Sequence, residues 1–159
     1  MERDQYRRAL GCYATGITVI SALGTDGAPI GITANSFNSV SMDPPLILFS
    51  LGRRSFSLPG FLASETFAVN VLRENQQALA ERFARASADK WAELSYDIWD
   101  TGCPILHDAL AKFECRLRHT YEGGDHIIFV GEVIRFEYDP KGQPLVYCCG
   151  GYQAMSPAG

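Results

Sequence analysis

Between residues 111 and 121 the chain alternates without interruption. Ala111, Phe113, Cys115, Leu117, His119 and Tyr121 take one parity, and Lys112, Glu114, Arg116, Arg118 and Thr120 take the other. A helix, turning every ~3.6 residues, would scatter this pattern around its surface. A strand sorts it onto two faces. The run therefore predicts a half-solvated antiparallel strand. Glu122-Gly123-Gly124-Asp125 supplies a turn, and His126 to Tyr138 reads as a long partner strand.

The rest of the chain repeats this grammar on a shorter scale. Ile17 to Leu23 is apolar and β-branched, and the turn residues Thr25-Asp26-Gly27-Ala28-Pro29 lead to a second strand from Ile30. Asp43-Pro44-Pro45 precedes a continuous apolar strand, Leu46 to Leu51. Thr66 to Leu72 reads as a buried strand and Leu145 to Cys149 as a last short one. Helical spacing is confined to residues 4–11, to 55–62 (limited by Pro59 and Gly60) and to 75–84, where Leu79, Arg82 and Phe83 share a face. Many strands with few short helices predict a mainly β fold, a barrel with flanking helices. At 159 residues and 47% apolar content, one domain with its core at about residues 5–153 is expected.

Charge and cysteine usage remove several function classes. The net charge is −4 with both signs interspersed, so the chain lacks the basic footprint of a nucleic-acid binder. Its apolar runs are too short for a membrane span, and the charged start has no signal-peptide core, which predicts a cytoplasmic protein. Cys12, Cys103, Cys115, Cys148 and Cys149 show neither a C-x-x-C pair nor zinc-type histidine spacing. They are expected as buried free thiols, with adjacent Cys148 and Cys149 on opposite faces of a strand.

Two polar segments stand out. Residues 31–45 gather Thr33, Asn35, Ser36, Asn38, Ser39 and Ser41 with almost no charge, a set able to satisfy a ligand's carbonyls and ring nitrogens. The same residues can equally bond their own backbone. Ser50-Leu51-Gly52-Arg53-Arg54-Ser55-Phe56 combines a strand end, a glycine and two arginines, a plausible anion cradle, although solvated loop arginines would look the same. Neither a Walker A motif nor G-x-G-x-x-G occurs. Of the three histidines, His107 lies near Pro104 and His119 is expected on the strand's apolar face. His126 leaves a hairpin turn with Asp125 beside it. No nucleophile–histidine spacing points to hydrolysis.

Taken in order, Ala14 to Leu23, residues 31–45, Phe67-Ala-Val-Asn-Val-Leu72, Gly124-Asp125-His126 and Gly151-Tyr152 resemble the flavin reductase family. These are the reductase components of two-component flavin-dependent monooxygenases. The resemblance implies an FMN-binding split barrel of Greek-key type, working as a homodimer with FMN or FAD and with NADH or NADPH as donor. It further implies that Thr33, Ala34, Asn35 and Ser36 line the isoalloxazine. Ser39, Val40 and Ser41, with Ser50, Leu51, Gly52, Arg53, Ser55 and Phe56, would hold the ribityl chain and phosphate, and Phe83 would touch the flavin. Asp125, His126, Gly151 and Tyr152 would receive the nicotinamide, with His126 orienting it. The implied partner is a monooxygenase that takes up reduced flavin by diffusion. Family members carry an arginine between the C-terminal Gly and Tyr, whereas this chain reads Gly150-Gly151-Tyr152. Pro59-Gly60 also makes its stretch less helical than the family's. A flavoprotein that keeps its flavin and reduces another acceptor, and a non-catalytic flavin- or haem-binding module, are the alternatives.

Overall fold

The computed structural model describes residues 2–156. Helix α1 (Arg3–Gly11) opens the chain, followed by β1 (Thr15–Gly16), β2 (Thr18–Leu23), β3 (Pro29–Ala34), β4 (Asn38–Met42) and β5 (Pro45–Gly52). Helix α2 (Leu58–Ala63), β6 (Thr66–Val71) and α3 (Gln77–Phe83) come next. The remaining strands are β7 (Tyr96–Ile98), β8 (Pro104–Leu106), β9 (Ala111–Gly123), β10 (His126–Tyr138), β11 (Val146–Cys148) and β12 (Gly151–Gln153).

Seven strands form one antiparallel sheet in the order β3-β2-β6-β9-β10-β5-β4. The sheet curls until its two sides approach. Just past β3, the Ser36 hydroxyl donates to Ser50 O at 3.0 Å and accepts from Ser50 N at 2.9 Å on β5. β3 and β4 themselves do not pair, so the barrel is split along this seam. A small sheet, β1-β11-β12, stands beside it.

Four phenylalanines fill the barrel. Phe49 stacks on Phe129 at 4.8 Å, and Phe67 and Phe61 meet Phe49 edge-on at 5.0 and 5.8 Å. Such pairs add to the burial of their large apolar surface. A second core joins Ile17, Val19 and Leu72 to α3 and the loop after it, through Ala80, Phe83 and Trp91. Gly31 permits this docking, because a Cβ there would stand 2.7 Å from the Phe83 ring.

Asn70 ties these layers together from a fully buried position. Its amide nitrogen donates to Val19 O (3.0 Å) and Ser21 Oγ (3.2 Å), and its oxygen accepts from Leu106 N (2.8 Å). Ser21 Oγ in turn donates to Pro104 O. Buried donors left without partners cost about 1–3 kcal/mol each. Asn70→Leu should therefore lower stability by about 2–3 kcal/mol, a fall of roughly 4–12 °C in Tm by calorimetry.

Several expectations are corrected. Glu114 was expected on a solvated face, yet it is fully buried because the loop before β8 covers it: Thr101 donates both N–H and hydroxyl to Glu114 Oε1 at 2.7 Å. His119, expected on the apolar face, is exposed beside Tyr121, since the outer half of β9 runs past the core. The cysteines divide. Cys103 and Cys115 are buried, whereas Cys12 and Cys149 are exposed and Cys148 half-buried. Cys149 leaves the strand into a turn, with positive φ at Cys149 and Gly150, so its sulfur lies 3.5 Å from that of Cys148 and not across the strand. Burial raises the pKa of the Cys103 and Cys115 thiols. In native protein a thiol reagent should modify Cys12, Cys148 and Cys149 and spare Cys103 and Cys115 until unfolding, as peptide mapping would show.

Candidate functional site

Hairpin β9–β10 turns at Gly124 and Asp125 and delivers His126 opposite Gly52 of β5. Asp125 belongs to the turn and not to the strand, so it escapes strand alternation and its Oδ1 lies 2.7 Å from His126 Nδ1. This hydrogen bond, aided by the imidazole's charge, holds the Asp125 carboxyl below its ordinary range. The carboxylate thus stays ionised and accepting throughout the neutral pH range.

The loop after β5 braces that turn. Arg53 N donates to Asp125 O and Arg53 Nε to Gly124 O, both at 2.9 Å, while its guanidinium pairs with Glu122. Arg53 thereby helps to hold Asp125 and His126 in place.

His126 faces a cleft of about 880 Å³. Thr33, Asn35 and Ser36 form one wall, and Tyr147 and Tyr152, edge-to-face at 5.4 Å, form another. Helix α1 closes the mouth with Arg7 and Leu10. Thr15 Oγ1, also at this cleft, is buried without a hydrogen-bond partner. Desolvation raises the pKa of the Tyr152 phenol and keeps it a donor. A wall of neutral amide and hydroxyl groups, aromatic edges and an orphaned hydroxyl fits a planar, carbonyl-rich flavin ring. Among the described residues no group of His, Cys, Asp and Glu is arranged to hold a metal ion.

The cleft thus unites Thr33, Asn35, Ser36, His126 and Tyr152 from the expected set, with Gly151 next to its Gly150. Other members stand elsewhere. Phe83 is 1% exposed and packs edge-on against Trp91 at 4.7 Å, in the core and not among the residues lining the cleft. The side chains of Ala34 and Leu51 point into the barrel. Ser39, Val40 and Ser41 lie on the edge strand β4, and Ser55 and Phe56 in the loop beyond Gly52; none of these lines the cleft. Ser50 is clipped by Ser36, and Thr33 Oγ1 donates to Ala80 O at 2.6 Å. Sequence reasoning missed Arg7, Leu10, Tyr13, Thr15 and Tyr147. The available signal was α1, an amphipathic segment whose apolar side the fold never buries.

A model of the flavin reductase like domain matches residues 10–156. The chain belongs to the flavin reductase family. A flavin reductase of Agrobacterium fabrum (strain C58), named FMN reductase (NADH) SmoA, is 42% identical over 151 residues, 95% of this chain and 85% of its own. The reductase subunit HsaB of a flavin-dependent monooxygenase in Rhodococcus jostii (strain RHA1) is 35% identical over 153 residues, 96% of this chain and 78% of its own. The solved NADH:FAD oxidoreductase SgcE6 of Streptomyces globisporus, in complex with NAD and FAD fragments, superposes with a TM-score of 0.93 at 38% identity, covering 98% of this chain and 94% of that one. The chain spans about half (47%) of the length of another relative it matches, a probable flavin reductase of Rhizobium meliloti.

The Ser36 clip is the local feature most open to test. Ser36→Ala leaves Ser50 N and O without their partner and should cost about 1–2 kcal/mol, with faster amide exchange at Ser50.

Proposed function

We infer that this chain transfers a hydride from reduced nicotinamide to FMN or FAD. One observation carries the reading: a single cleft joins the neutral 33–36 wall to the paired Asp125–His126 and to Tyr152. The flavin supplies the redox chemistry when bound. Direct hydride transfer needs no protein nucleophile, and a site without a triad suits it. What the protein must do is hold the reacting atoms roughly 3–3.5 Å apart and keep water from between them.

The roles then follow from donor and acceptor chemistry. With the ring neutral, Asp125 accepts from Nδ1–H, which fixes the His126 tautomer and leaves Nε2 free to accept from the carboxamide of the nicotinamide. Asn35 and the backbone around it meet the flavin ring. Tyr152 donates across the cleft. Arg53 keeps the turn that carries His126 in register.

Reduced flavin is passed to a monooxygenase partner by diffusion, a reading supported by the naming of HsaB as a reductase subunit. NADH is the donor of choice in this reading, as in SmoA and SgcE6, and a cytoplasmic location goes with it. Exposed Met42, Phe136 and Tyr138 offer an apolar surface for a second copy, supporting a homodimer.

The decisive assay follows absorbance at 340 nm with each pairing of NADH or NADPH with FMN or FAD. Saturable turnover with NADH supports the reading; flavin binding without turnover in all four pairings would overturn it. His126→Ala should raise the KM for NADH about tenfold while changing the flavin Kd no more than about twofold. Equal losses for both ligands would exclude a nicotinamide role for His126.

A further inference from the structure

The donor in this reading is a dinucleotide, and its pyrophosphate carries two negative charges into a cleft whose walls are almost wholly neutral. Placing an anion there without a counter-charge is costly. Of the two arginines in the 50–56 segment, Arg53 pairs with Glu122 and holds Gly124 O, and Arg54 does not line the cleft. The second half of the cleft, hairpin β11–β12, carries no cation between Tyr147 and Tyr152.

Arg7 remains. It lines the cleft from α1, on the same cavity as His126, Gly150 and Tyr152, and among the described residues no carboxylate pairs with it. A smaller hollow of about 330 Å³ adjoins this point, lined by Arg7, Arg8, Gly11, Cys149 and Gly150. Arg7 therefore lies where the cleft and the side hollow meet, with Gly11 and Gly150 on both linings. Helix α1 buries none of its residues, but it is pinned at its end: Cys149 N donates to Gly11 O at 2.7 Å. This contact fixes the distance between Arg7 and the hairpin without any core packing.

We propose that Arg7 is the specificity residue that grips the pyrophosphate of the dinucleotide donor, making α1 part of the donor site. The proposal rests on the hydride-transfer reading. A planar fork that binds two phosphate oxygens at once suits the task better than an ammonium.

The test separates pyrophosphate from nicotinamide. Calorimetry with ADP-ribose, which has the pyrophosphate and lacks the nicotinamide, should show binding to the wild-type protein that weakens about tenfold in Arg7→Ala and less in Arg7→Lys. Added salt should erode the wild-type affinity more steeply than that of the alanine variant. In turnover, Arg7→Ala should raise the KM for NADH about tenfold yet shift that for 1-benzyl-1,4-dihydronicotinamide, a donor without phosphate, by no more than about twofold. Arg7 is on the surface, and an unchanged circular dichroism spectrum will show the variants folded. Wild-type protein that fails to bind ADP-ribose, or an alanine variant that binds it equally well, would overturn the proposal. Loss of both donors alike would do the same. If wild-type protein binds ADP-ribose through Arg7 but oxidises no NADH with either flavin, the grip stands and the hydride-transfer reading falls.

Discussion

One serine hydroxyl fastens the short crossing between the two open sides of this sheet. A seven-stranded antiparallel sheet has two open sides, and here the chain must cross from one side, β3, to the other, β4, in only three residues. At this crossing Ser36 forms both a donor and an acceptor bond with the backbone of Ser50, carrying the β4–β5 ladder (Asn38 opposite Leu48) two residues further. Inside the curled sheet lies the four-phenylalanine core. Thr33 and Asn35, next to the crossing, line the same cleft as His126 at the start of β10.

Much of this was legible from periodicity. The period-two run at 111–121 and the Gly-Asp turn after it mark β9 and β10, the longest strands and the spine of the barrel. What periodicity cannot see is what lies over each face. Glu114 sits at a polar parity and was taken as solvated, but a loop more than ten residues upstream folds over it and supplies two donors. Strand β4 was hidden for a different reason. Of Asn38, Ser39, Val40, Ser41 and Met42 only Val40 strongly favours a strand, and the neighbouring β5 ladder makes them one.

The site was legible in part, and the division is chemical. His126, Asn35 and Tyr152, with Asp125 bonded to His126, stand out in the sequence by type and neighbours, and the structure gathers them at one cleft. Phe83 was misplaced because an aromatic residue on a helix face reads equally well as a cofactor contact or as core, and Gly31 makes room for it in the core. Ser36 and Arg53 read from the sequence as ligand groups; each also satisfies backbone of β5 or of the hairpin turn, and Ser36 lines the cleft as well. Polar residues near a site are as often its carpentry as its contacts, and only geometry tells them apart. The cleft that results is close to neutral, which suits a reaction in which a hydride moves between two rings and no group on the protein needs to change its protonation state.

The cleft also draws on residues very far apart in the chain: Arg7 and Thr15 near one end, Asn35 after the first hairpin, His126 at the last long turn, and Tyr147 to Tyr152 near the other end. A polypeptide emerging in order from the ribosome can begin packing its barrel strands early, but helix α1 has no docking point until the β11–β12 hairpin appears. The cleft is therefore complete only after the barrel strands between Thr15 and Tyr147 have been made. A partly made chain can hold a nascent barrel and still lack one wall of the cleft.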